Sequence, residues 1–304
     1  MFRTNDLILL LVVFSSLVAG VFFPGPSSFF QPFPLYLMMF LLFLSFLSIR
    51  LDEVWLVLSR QGWTIAWLCF LKLVALPAGV YFLFRAFYPD YATAALLITG
   101  ISTGVVAPFI SSMLRVSGPL VLVMVVITSC LVSFTLPALV KILLGRSVEI
   151  SFFGMMRVLG LIIFVPVIAV EVMRRTVPAA LDMVSKIRFP ISLVIFAVIN
   201  LGVFSKYAQF FRQNPATILE ATIVAIVLGA VYITVGILAA WRAPVKDQVA
   251  SAVSMGNINN VLVIVFASEF FGPIEPTLAA MYMIPFFGLI FPLRFYRSMM
   301  EKDA

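Results

Sequence analysis

Ten apolar stretches follow one another along this chain, each 15 to 26 residues long and set apart by charges, prolines or glycines. They run Leu7–Phe23, Leu35–Ile49, Trp63–Phe87, Tyr91–Leu114, Pro119–Leu144, Phe152–Met173, Pro190–Phe204, Ala216–Trp241, Val249–Phe271 and Pro273–Phe295. A hydrocarbon core of about 30 Å takes about 20 helical residues, so the pattern predicts ten transmembrane helices. Hydrophobic residues fill 63% of the 304 positions and charged residues 11%, outside the range of soluble domains. The expected fold is an all-α polytopic membrane protein, with residues 1–304 forming a single membrane domain.

Basic residues set the orientation. Arg3, Arg50, Arg60, Arg115, Arg174, Arg175, Lys186, Arg188, Arg242, Lys246, Arg294, Arg297 and Lys302 fall at the termini and on alternate loops of one side. The other side holds fewer: Arg85, Lys141, Arg146, Lys206 and Arg212. The positive-inside rule then puts both termini in the cytoplasm, and a bacterial inner (plasma) membrane is the expected location. The net charge of +7 is thereby a topology signal, and no basic tail points to nucleic acid. Arg3 before an apolar run ending in Ser16-Leu17-Val18-Ala19-Gly20 resembles a signal peptide. Asp6 weakens that basic flank, and the ten-helix count needs this segment as a retained first helix. Cys69 and Cys130 both lie inside expected spans, where they read as small buried apolar residues rather than as a disulfide or a metal site.

Counting residues from the charged flanks gives depth. Lys72 stands twelve residues after Arg60 and thirteen before Arg85, about 18 Å from each at 1.5 Å per residue. The same count centres Ser102 and Thr103 between Asp90 and Arg115, Thr128 and Ser129 between Arg115 and Lys141, and Ile258 between Asp247 and Glu269. Four expected helices thus bring polar groups to one layer. Membrane Ser and Thr often bond their own helix backbone, which is the plain reading for the four hydroxyls. A mid-depth lysine is different: it costs several kcal/mol on insertion scales and cannot snorkel to either interface. Arg157, close to the start of its span, can.

Two spans carry breaks. Gly100-Ile101-Ser102-Thr103-Gly104 precedes Ala107-Pro108 in the fourth, and Ser254-Met255-Gly256-Asn257-Ile258-Asn259-Asn260 lies mid-depth in the ninth. Glycines loosen a helix and proline removes one of its hydrogen bonds, while carboxamides at that depth must face protein, water or a ligand. Each break is in the fourth span of a set of five. Because five is odd, residues 1–147 and 148–304 are expected as two inverted five-helix repeats, the arrangement of secondary transporters.

Several segments resemble the bile acid:sodium symporter family of the bile/arsenite/riboflavin transporter superfamily. They are Leu71-Lys72-Leu73-Val74-Ala75-Leu76-Pro77, the junction from Leu114-Arg115 to Pro137, and Met255-Gly256 through Asn259 with Phe270-Phe271-Gly272-Pro273. The resemblance spans most of the chain and rests on the combined order of these segments. It implies a panel domain and a core domain, with the fourth and ninth helices unwound and crossing beside the substrate. It also implies alternating access, with bile acids, pantoate-like acids, other carboxylates or sulfonates carried together with sodium.

The departures bear on the ion. Ala107-Pro108 stands where the family has Ser-Asn, Val121 and Val125 where it has hydroxyls, and Ser254 and Ile258 where it has Glu and Gln. Asn259 matches. The family's remaining sodium ligand, a glutamine five residues before the proline, corresponds to Lys72. An ammonium there can supply the charge that sodium would bring, with half-helix C-termini as partners, and removes the need for the carboxylate. The expected function is therefore a sodium-independent carrier of a small organic anion. Lys72 and Ser254 would form the ion site, with Lys72 either a fixed counter-charge or a proton-coupled switch. Substrate would lie against Ser102, Thr103, Asn257, Asn259 and Asn260, with the helix breaks at Gly100, Gly104, Pro108 and Gly256. Partners are the anion and the lipid bilayer, and no cofactor or metal is expected.

The alternatives are a sodium symporter with a displaced site and, from another class, a non-transporting bundle or receptor. Arsenite efflux would call for a membrane thiolate in a broken helix, which neither cysteine supplies. Enzyme chemistry is disfavoured by the absence of histidine and of mid-depth carboxylate pairs, leaving only a Ser-Lys dyad formally open.

Overall fold

The computed structural model describes residues 4–47, 49, 51–145 and 151–300. Arg3, Arg50, Arg146 and Lys302, used above for orientation, lie outside the described residues, as does the side chain of Lys186. The main helices are α1 (Thr4–Phe22), α2 (Pro34–Phe46), α3 (Leu51–Phe70), α4 (Leu76–Phe87), α5 (Ala92–Gly100), α6 (Ala107–Met113), α7 (Gly118–Leu144) and α8 (Phe152–Thr176). They continue with α9 (Pro178–Lys206), α10 (Ala216–Ala239), α11 (Val245–Gly256), α12 (Asn260–Phe270), α13 (Ile274–Met281), α14 (Met283–Gly288) and α15 (Ile290–Met300). Among the described residues there is no strand, only an isolated bridge between Thr103 and Ile258.

Among the described residues, six helical segments are long and apolar enough to cross a membrane: Val54–Phe87, Gly118–Leu144, Phe152–Thr176, Ile187–Lys206, Ala216–Ala239 and Ile274–Met300. A seventh arises if Leu11–Phe22 and Pro24–Phe30, bent by 108°, are taken together. Pro34–Phe46 and Asn260–Phe270 are shorter apolar helices. The outer surface suits lipid rather than water, with Leu11, Trp63 and Phe87 each at least 70% exposed, far more apolar exposure than a soluble monomer tolerates. The chain is a helical, membrane-embedded protein.

Packing falls into two groups of helices. In one, α1 lies along α9, and α2 packs on both α8 and α9. In the other, α3 packs on α7, α4 on α5, and α10 on α11 and α13, while α5 and α12 both touch α13. The groups meet where α7 touches α8 and where α12 touches α2 and α9. This places the second group around the two broken helices.

Prolines account for much of the local geometry. Pro77 has no N–H to continue the ladder, and the turn before it, Leu71–Ala75, opens into a π-helix closed by Leu76 N–H donating to Leu71 O. A π turn projects a side chain off the regular helical register, and Lys72 is within it. Pro108 begins the first turn of α6, where a missing N–H has no partner to lose. It therefore starts the second half-helix rather than disrupting one.

Candidate functional site

Both breaks are extended, and they pair with each other. Beyond Gly100, Ile101 takes φ −73° and ψ 161°; beyond Gly256, Asn257 has φ −86° and ψ 82°, and Asn259 φ −83° and ψ 77°. The two segments run antiparallel with Thr103 opposite Ile258. Gly104 N–H donates to Asn257 O at 2.6 Å, and Asn259 N–H to Ser102 O at 3.0 Å. Backbone freed from its helix in a membrane interior must find such partners. The approach is so close that a Cβ on Gly104 would lie 2.6 Å from Ile258 O, so the position requires glycine.

The C-terminal end of α11 is capped by side chains from three other elements. Thr103 Oγ1 donates to Ser254 O at 2.8 Å, Lys72 Nζ to Met255 O at 3.0 Å, and the Tyr282 hydroxyl to Gly256 O at 2.7 Å. These carbonyls carry the negative end of the half-helix dipole, which suits an ammonium. Lys72 is fully buried, and its Nζ also lies 5.5 Å from the centre of the Tyr232 ring, a cation–π distance. Tyr232 in turn shares a 2.7 Å hydrogen bond with Thr99 Oγ1 on α5 and packs on Tyr282 at 5.6 Å between ring centres. Lys72 thus sits between the terminal turns of both broken helices.

The hydroxyls of α7 divide. Thr128 Oγ1 accepts from Thr103 N–H at 2.9 Å and donates to Met124 O at 2.6 Å, which ties α7 to the crossing. Ser129 Oγ is buried without a partner, as is Ser102 Oγ. Ser254 Oγ donates back to Ala250 O at 2.9 Å, the plain membrane-serine bond.

The three asparagines also differ. Asn257 Nδ2 donates to Phe286 O at 3.2 Å and Asn260 Nδ2 lies 2.9 Å from Met283 Sδ, so their unpaired atoms are the carbonyl oxygens. Asn259 is reversed: its Oδ1 caps Leu262 N–H at 3.3 Å, leaving Nδ2 buried and unpaired. Only Asn259 therefore has its whole amide N–H₂ group unengaged. With the hydroxyls of Ser102 and Ser129 it gives unpaired donors on both breaks and on α7, and such groups need a partner.

The remaining candidates lie apart. Arg157 is exposed near the start of α8. Cys69 is buried with its Sγ 3.8 Å from Met124 Sδ, and both cysteines are free. Among the described residues no group of three or more His, Cys, Asp or Glu is placed to hold a metal ion.

Tyr232 and Tyr282 were not singled out by the motifs, yet both touch the layer. Depth counting would have found Tyr232, which stands twelve residues after Glu220 and ten before Arg242. Tyr282 has a weaker signal, since its helix is broken into three pieces. Neither comparison with models of known protein families nor a search of curated proteins gives a match for this chain.

Proposed function

We propose that this chain is a secondary transporter of a small organic anion, working by alternating access without sodium, with Lys72 standing in for a bound sodium ion. In this reading the ten apolar stretches are ten spans in two inverted repeats, both termini are cytoplasmic, and α1, α2, α8 and α9 form the panel against which the remaining helices move. One observation carries it: the Lys72 ammonium donates to Met255 O at the C-terminal end of a broken helix. A cation fixed at the meeting point of broken helices is the arrangement of a coupling-ion site, and the unpaired donors of Ser102, Ser129 and Asn259 lie in the same layer.

Purified protein heated in detergent with a panel of carboxylates and sulfonates, in sodium or choline buffer, tests this. At least one acid is expected to raise the Tm by several degrees, equally in both buffers, with sodium chloride alone having no effect relative to choline chloride. Stabilisation by sodium itself would favour a displaced sodium site, and indifference to every acid would remove the anion.

A further inference from the structure

The charge balance of the crossing narrows both the substrate and the mode of transport, taking the transporter reading above as its basis. Two half-helices, α5 and α11, end at the crossing, and two, α6 and α12, begin there. Each end carries about half a unit of charge, negative at C-termini and positive at N-termini, so the four ends cancel. Lys72 then stands alone. Among the described residues it is the one charged side chain that is buried, and the two ion pairs found there both use Glu171, with Arg174 and Arg175. Its two contacts, Met255 O and the Tyr232 ring, are neutral groups. The unpaired donors of the breaks, α7 and α11, namely Ser102 Oγ, Ser129 Oγ, Ser133 Oγ, Ser251 Oγ and Asn259 Nδ2, are neutral as well. With Lys72 in its ammonium form, the empty crossing therefore carries one net positive charge.

That charge travels with the site. Met255 is on α11 and Tyr232 on α10, which pack together, and α7 packs on both α3 and α11, so any movement of the crossing takes the ammonium with it. Carrying an uncompensated charge past hydrocarbon is costly. A bound monovalent anion brings the moving unit to neutrality, whereas a divalent anion leaves it negative.

We infer that the protein is an obligate exchanger of monovalent organic anions, one that crosses between its two states when loaded and stalls when empty. A symporter returns empty at each cycle; this carrier would return holding a second anion.

Proteoliposomes containing the full chain and preloaded with unlabelled pyruvate, benzoate or succinate, or with none of these, provide the test. Uptake of [14C]pyruvate, [14C]benzoate and [14C]succinate is followed in sodium-free buffer. Uptake of a monocarboxylate is expected to be at least ten-fold faster into vesicles holding the same acid than into vesicles lacking it, with succinate lagging by a similar factor. Efflux of preloaded [14C]pyruvate or [14C]benzoate should likewise wait for an outside monocarboxylate. Equal rates into loaded and empty vesicles, or net uptake into empty vesicles driven by a proton gradient, would overturn exchange and leave the transporter reading standing. Faster succinate exchange would overturn the monovalent assignment. Failure of all three acids to move under any condition would count against both readings.

Discussion

At Lys72 two opposing energies decide what a substitution does. Burying an ammonium at mid-depth costs about 2.5 to 3.5 kcal/mol on insertion scales. Its bond to Met255 O returns about 1.5 to 3 kcal/mol, and the contact with Tyr232 about 0.5 to 2. The terms nearly cancel, so lysine has no clear structural advantage here. Methionine would fill much of the same space without the charge, leaving Met255 O unpaired at about 1 to 3 kcal/mol while removing the desolvation cost. Lys72→Met is therefore expected to unfold within a few degrees of the wild type in detergent yet lose any stabilisation by organic acids. A fall of ten degrees with acid binding intact would assign Lys72 to the scaffold. Tyr232→Phe separates the ring from its hydroxyl. It keeps the face over Lys72 but removes the bond to Thr99, so a stability loss of about 1 kcal/mol and unchanged acid binding are expected from the same thermal scans.

At the scale of elements, the crossing depends on two extended segments approaching without side chains between them. A methyl group on Gly104 meets Ile258 O and the Ile258 carbonyl carbon, at 2.6 and 2.9 Å, and both are backbone atoms that cannot turn aside. Gly104→Ala should cost about 1 to 3 kcal/mol through backbone displacement, read as a lower midpoint in thermal size-exclusion chromatography. Gly79→Ala is the control. Nothing lies within 4 Å of its added Cβ, and alanine in the first turn of α4, on a continuous helical segment from Val54 to Phe87, is expected to gain about 0.5 to 1 kcal/mol. Equal behaviour of the two variants would mean that the pairing of Ser102–Gly104 with Asn257–Asn259 is loose.

The same elements show what the chain discloses in one dimension. Gly100, Gly104 and Gly256 bracket the breaks because loosening a helix is a local property of glycine. Lys72 could be placed at mid-depth because apolar length is also local. The bond from Lys72 to Met255 O spans 183 positions, and no local propensity encodes it. The π turn around Lys72 follows from Pro77, yet a proline is compatible with a kink, a π turn or a helix start, and packing chooses among them. For the asparagines, the sequence presents three equivalent amides. Their difference arises only from neighbours: Phe286 O and Met283 Sδ engage the nitrogens of Asn257 and Asn260, and Leu262 N–H engages the oxygen of Asn259.

For the whole molecule, orientation would determine which face of the crossing the proposed transporter opens to which compartment, and the flanking charges make it testable. Gln213 lies exposed just before α10, and Lys246 lies exposed at the start of α11. Between them runs α10, among the described residues one of six helices long and apolar enough to cross a membrane, so if α10 spans, the two positions face opposite sides of the bilayer. Lys246 belongs to the richly basic side, which the positive-inside rule holds in the cytoplasm. Single cysteines at Gln213 and Lys246, in a background where Cys69 and Cys130 are replaced by alanine, should therefore react differently with a membrane-impermeant maleimide. Gln213→Cys is expected to label in intact spheroplasts and Lys246→Cys only after permeabilisation. The opposite pattern would invert the protein. Labelling of both from one side would mean that α10 does not span, and the inverted-repeat arrangement would then lose the parity on which it depends.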